Sequence, residues 1–171
     1  VGKFNPYYKI RWFFTPLILL TFDQIVKKLS LAYVPIMNQE SFPYGGIVLA
    51  QFYGFKGALV LAFNQGAAWS LLSEYPHILV ILRPVLIAYL VFLWIKFASK
   101  SHSWLLGMIW AGALSNWLDS INYGYVVDMV SLTFWNYHYP IFNVADMLIC
   151  LGACGLAFKN FTSKVEGDVP I

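Results

Sequence analysis

Charge is what this 171-residue chain has least of, with Asp, Glu, Lys and Arg together making up 11% of it. A soluble domain carries about 25%. Cysteine is nearly absent: Cys150 and Cys154 stand four residues apart inside an apolar run. That excludes a disulfide-stapled scaffold and, with no further Cys or His beside them, a thiolate metal centre. The two read as small buried apolar residues without a function. The net charge of +3 is small and scattered, which excludes nucleic acid as a partner. No Gly-x-Ser-x-Gly elbow, His-Glu-x-x-His pair or phosphate-cradling glycine loop occurs. The three histidines, His77, His102 and His138, are scattered near the ends of apolar segments and read as interfacial solvation.

What the chain has is apolar length. Hydrophobic residues make up 60% and aromatics 19%, and the mean hydropathy is +0.65. Runs near 20 residues are long enough to cross a bilayer as helices. Four such spans are expected, at about 11–34, 77–98, 104–118 and 141–158. The first is interrupted by Asp23, Gln24, Lys27 and Lys28, and the second holds a single early charge, Arg83. Between spans lie segments 35–75 and 120–140, with strand-like pieces such as Ile47–Phe55 and many aromatic residues, as in an interfacial belt. The expected fold is an all-α membrane protein: one domain over 1–171, with four transmembrane helices and a small β-containing segment on the outer surface. No small-residue cleavage pattern follows the first span, which reads as a retained signal anchor. Gly107, Ala111 and Ser115 form a small-residue stripe suited to close helix packing.

Basic residues set the sidedness. Lys3, Lys9, Arg11, Lys96, Lys100, Lys159 and Lys164, seven of the eleven Lys and Arg residues, fall on one side of a four-span layout. Both termini are therefore expected in the cytoplasm. Asp23, Glu40, Glu74, Asp119, Asp128 and Asp146 fall on or near the opposite side, so carboxylate chemistry belongs at the outer surface.

An ionisable group inside a span costs about 2.5–3.5 kcal/mol on insertion scales and needs a reason. Asn143 and Asp146 are spaced i, i+3, as are Asn116 and Asp119, while Asp23 and Lys27 form an i, i+4 pair. Three spans thus direct a polar turn to one depth, with Asp128 in the adjoining loop after Tyr125-Val-Val. One reading is a polar plug that fixes helix packing. The other is a site, because two close carboxylates sharing one proton can run a hydrolysis. The ionised member takes a proton from water while the protonated member donates to the scissile carbonyl. Asp128 and Asp146 are the best-placed pair.

Four ordered blocks resemble those of the lipoprotein signal peptidases (signal peptidase II), four-span aspartyl proteases of the bacterial cytoplasmic membrane. They are Asp23-Gln-Ile-Val-Lys27; Asn64-Gln-Gly-Ala-Ala-Trp-Ser70; Gly112-Ala-Leu-Ser-Asn-Trp-Leu-Asp119 with Gly124-Tyr-Val-Val-Asp128; and Phe142-Asn-Val-Ala-Asp146. The resemblance implies that Asp128 and Asp146 are the catalytic dyad. It implies that Asn64, Gly66, Asn116, Asp119 and Asn143 bind substrate or support the site, together with Asp23 and Lys27. It further implies no metal and no cofactor. The substrate would be a diacylglyceryl-modified prolipoprotein, cleaved before its lipid-bearing cysteine at the outer face of the inner membrane by a monomer embedded in the bilayer.

Four positions depart from the family pattern: Ser120 for a usual Arg, Ser115 for Gly, Trp69 for Phe and Met129 for Phe. Ser120 removes a fixed cation with its forked donors, which leaves open a divergent paralogue with altered substrate preference. A transporter or channel subunit using Asp23, Asp119 and Asp146 is a different class of reading. It would need ionisable residues in the inner halves of spans three and four, and these are lacking. A non-catalytic assembly subunit would keep the fold but lose a dyad member, and both are present.

Overall fold

The computed structural model describes residues 6–38, 40, 44–65, 76–97 and 102–165. Helix α1 spans Pro6–Tyr33. From residue 14 on it buries Pro16, Asp23, Lys27 and Ser30 while exposing Phe14, Ile18, Phe22, Ile25 and Leu29. Both sets recur at helical spacing and so form opposite stripes. The polarity is the reverse of a soluble helix, which turns its apolar face inward. Such a helix fits surroundings less polar than its own packing partners, as lipid is.

Helix α2 (Pro76–Lys96) likewise turns Ile81, Val85, Leu86, Tyr89, Phe92 and Ile95 outward. Helices α3 (Ser103–Tyr123) and α4 (Val144–Val165) complete the set. Among the described residues one stretch, Val144–Thr162, is apolar and long enough by composition alone to cross a membrane. Inward polar residues, Asp23, Gln24 and Lys27 in α1 and Ser115, Asn116, Asp119 and Ser120 in α3, dilute the hydropathy of the other two strongly packed helices.

Helix α3 is central, packing against α1, α2 and α4. The small-residue stripe lies on its contact faces. A Cβ on Gly107 would stand 2.6 Å from Cγ of Pro16 in α1, and Ser115 bonds to Asp23 and Gln24 of α1. Next to the stripe, a Cβ on Gly112 would collide with the backbone oxygen of Ala145 in α4. These glycines therefore set how closely α3 meets its neighbours.

Three expectations are corrected. Residues 120–123, assigned to an outer segment, continue α3 until Gly124 ends it with φ 78° and an N–H bond to Ser120 O, the left-handed helix stop that glycine favours. Residues 141–143, assigned to the fourth span, precede α4, so Asn143 is its N-cap and not a residue one turn before Asp146. Cys150 and Cys154 are exposed. The buried face of α4 is Ala145, Leu148 and Gly152, and the thiols fall on the opposite, outward side.

The segments between α1 and α2 and between α3 and α4 form one antiparallel sheet in the order β1 (Ile47–Phe52), β2 (Phe55–Asn64), β3 (Val126–Phe134) and β4 (Tyr137–His138). Tight turns at Gly54, with φ 70°, and Trp135, with φ 51°, join the outer pairs. The central pairing, β2 with β3, is non-local and aligns Asn64 with Val126 and Ala62 with Asp128. Leu61 N donates to Pro35 O at 2.8 Å and Val130 N to Phe142 O at 2.8 Å, tying the sheet to the exit of α1 and the entry of α4. Leu61, Val127 and Met129 pack as a core against Val26, Leu31 and Val34. Strand alternation turns Asp128 away from Val127 and Met129, toward the start of α4.

Candidate active site

Asp146 lies in the first turn of α4, where backbone N–H groups need partners. Asn143 and Asp146 satisfy them reciprocally. Asp146 N donates to Asn143 Oδ1 at 2.8 Å, and Asn143 N donates to Asp146 Oδ2 at 3.2 Å. This is a capping box built from Asn and Asp. Because its oxygen is committed to the cap, the Asn143 amide nitrogen points the other way. It donates to Asp128 Oδ1 at 2.7 Å, and also meets Val127 O and Asn116 Oδ1, each at 3.2 Å. One fully buried asparagine thus holds both carboxylates. Asn64, diagonal to Asp128 across the β2–β3 pairing, donates to Asp128 Oδ2 at 3.2 Å. Asn116 of α3 donates to Asp146 Oδ1 at 2.8 Å.

A second cluster lies behind the first. Lys27, 1% exposed, bonds Asp23 Oδ2 at 2.9 Å and Asp119 Oδ2 at 2.7 Å. It also donates to Asn116 Oδ1 at 2.8 Å, so all three ammonium donors are matched. The last bond occupies the Asn116 oxygen and so presents the Asn116 NH₂ to Asp146. Asp23 Oδ1 accepts Ala145 N of α4 at 2.7 Å, and its Oδ2 accepts Ser115 Oγ at 2.5 Å. Asp119 accepts Gln24 Nε2 at 2.8 Å and Val127 N at 3.3 Å. The cluster locks α1, α3, α4 and β3 into one frame.

Burial, and after it the charge of Asp146, push the Asp128 carboxyl up to about 7. Hydrogen bonds from Asn64 and Asn143 and the charge of Lys27 oppose this. Asp128 can therefore exchange a proton near neutral pH, as a general acid–base group requires. Among the described residues no three His, Cys, Asp or Glu side chains gather as a metal-binding group.

The fold brings together Asp23, Lys27, Asn64, Asn116, Asp119, Asp128, Asn143 and Asp146. Gly66, with the rest of its block to Ser70, lies outside the described residues. Two site residues escaped the sequence reading. Gln24 braces Ser115 and Asp119 from α1. Arg83 of α2 donates to Ser120 Oγ, and an arginine inside an apolar span is itself a signal of a polar partner.

Comparisons agree with this fold. The family model of signal peptidase (SPase) II matches residues 15–162. A lipoprotein signal peptidase of Pseudomonas putida is 32% identical, over 98% of this chain and 94% of its own length. One of Lactococcus lactis is 44% identical, over 59% of this chain and 67% of its own. A solved structure described as a bacterial membrane enzyme superposes with a TM-score of 0.70 at 21% identity, covering 90% of this chain and 89% of that one. A second solved structure of that description gives 0.67 at 24% identity, covering 87% and 91%. With the fold, the ordered blocks and the family match in agreement, the chain belongs to the signal peptidase II family, and its activity is that of an aspartic endopeptidase on lipoprotein precursors.

Proposed function

We propose that Asp128 and Asp146 are the catalytic dyad of this peptidase. The observation that carries the reading is the double grip of Asn143, whose amide NH₂ meets Asp128 at 2.7 Å and whose backbone N–H meets Asp146 at 3.2 Å. Two carboxylates held against one residue share a proton more readily than they ionise together. The protonated member donates to the scissile carbonyl oxygen while the ionised member takes a proton from the attacking water. Collapse of the tetrahedral intermediate breaks the C–N bond, and that proton passes to the departing amine. Asp128, with its carboxyl at about 7, suits the donor role at the start.

The substrate is a prolipoprotein cut before a cysteine that bears diacylglycerol. It arrives laterally from the bilayer, an entry that suits helices whose outward faces are apolar. The four helices cross the inner membrane with both termini in the cytoplasm, and the sheet lies over the dyad at the outer face. Residues 1–171 act as one domain and as a monomer, a reading supported by a dyad and polar frame drawn from a single chain. Cleavage of a diacylated lipobox peptide by the native chain and by Asp128→Asn tests the assignment. Loss of turnover in the folded variant is expected, and strong residual turnover contradicts it.

A further inference from the structure

Arg83 stands on α2, which contributes none of the hydrogen bonds to Asp128 or Asp146 described above. Helix α2 packs against α3, and the partly buried guanidinium donates through Nη1 to Ser120 Oγ. Ser120 Oγ in turn donates to Asn116 O at 2.9 Å, one turn back along α3. Asn116 is the residue whose amide holds Asp146. The guanidinium also lies within electrostatic reach of Asp146 and Asp119.

Among the described residues, the charged groups facing this interior are Asp23 and Lys27 from α1, Asp119 from α3, Asp128 from β3, Asp146 from α4 and Arg83 from α2. Lys27 places its three donors on Asp23, Asp119 and Asn116, so it makes no ion pair with either dyad member. With one proton on the dyad, three carboxylates face Lys27 alone, an excess of two negative charges. Arg83 halves that excess. Carrying a guanidinium into an apolar span costs about 2.5–3.5 kcal/mol on insertion, and the nearby carboxylates of Asp146 and Asp119 give that charge a counter-ion.

We propose that Arg83 is a positioning residue of the active site. Seated on Ser120, it is the second cation that the described residues bring to the polar interior, and it keeps one member of the dyad ionised while it steadies the Asn116 turn of α3. The proposal rests on the reading of Asp128 and Asp146 as the dyad.

The test measures kcat/KM against pH for a diacylated lipobox peptide in detergent, with thermal unfolding as the check on folding. Arg83→Gln keeps a donor for Ser120 without the charge. Its acid limb is expected to move up by about one pH unit, because losing a nearby opposite charge disfavours the ionised carboxyl. Arg83→Lys keeps the charge and should leave the limb in place. Arg83→Gln/Ser120→Arg carries the guanidinium on α3 instead and should restore it. An unmoved limb in Arg83→Gln, or an equal displacement in Arg83→Lys, overturns the proposal. If Arg83→Gln does not fold, the double variant decides: a native limb supports the proposal, and a displaced limb or an unfolded protein overturns it. Asp128→Asn is assayed in parallel. If it still turns over, the dyad reading falls and takes this one with it; if it is inactive while the Arg83→Gln limb is unmoved, the Arg83 proposal alone falls.

Discussion

Among the described residues four carboxylates lie within one polar interior, yet two of them keep very different company from the other two. Asp23 and Asp119 share Lys27 at 2.9 and 2.7 Å. Asp128 and Asp146 accept from amides: Asn64, Asn116 and both nitrogens of Asn143. An ammonium locked between two carboxylates makes them counter-ions and fixes their geometry. Amides supply hydrogen bonds but no formal charge, so they orient a carboxyl while leaving its proton free to move. The difference in partner type divides the interior into a frame and the proposed reacting pair, and the asparagines join the two.

The largest effect expected from this division is on turnover. Asp146→Asn, like Asp128→Asn, should lower kcat/KM by at least about 10²–10⁴-fold, and the double variant should be little worse than either. Asp23→Ala should keep measurable cleavage with reduced stability, since it loses a bond to Ala145 N and a partner of Lys27. Abolished turnover in a well-folded Asp23→Ala protein would erase the distinction. Chelators and thiol reagents should leave the native activity intact.

Next in size is the frame itself. Lys27→Met leaves Asp23 and Asp119 buried without their cation, a loss on the order of 3–5 kcal/mol. Denaturant unfolding in detergent measures it, and a change below about 1 kcal/mol would mean that water reaches the cluster.

The proposed reacting pair should show itself in pH dependence. The Asp128 carboxyl lies at about 7, against an ordinary value of 3.8. Between those values the folded chain holds a proton that the unfolded chain has released, so stability should fall as pH rises through the window and level off above it. The slope is about 1.4 kcal/mol per pH unit at most, on the order of 4 kcal/mol in all. Comparison with Asp128→Asn isolates the contribution, because the variant should lack that slope.

Smallest is packing away from either cluster. Gly107→Leu drives a side chain into Pro16 and should cost about 1–3 kcal/mol, read as a lowered unfolding temperature with catalytic pH dependence unchanged. Unchanged stability would mean that α1 yields at this level.

Much of this arrangement was legible in the chain. Apolar runs marked four helices to within several residues, and the spacing of Asp23/Lys27 and Asn116/Asp119 marked the polar turns. The helix ends were less legible because a stop is a local event. Only the backbone of Gly124 ends α3, and only the Asn143 cap starts α4. Individual bonds between elements were the least legible. Lys27 pairs with Asp23 at helical spacing, but its shorter bond is to Asp119, on another helix. The pairing of β2 with β3 joins strands that two helices separate in sequence. Arg83 stood out only as a charge in a span until packing brought α2 against Ser120.

The division between frame and pair is tested most directly by the titration of Asp128. Carboxyl-¹³C aspartate labelling in detergent micelles, with the Asp128 signal assigned by its loss in Asp128→Asn, follows that proton alone. The account predicts a midpoint near 7 in the native chain and a lower one in Asp146→Asn, where the neighbouring charge that raises it is gone. A midpoint near the ordinary 3.8, unmoved by Asp146→Asn, would contradict it.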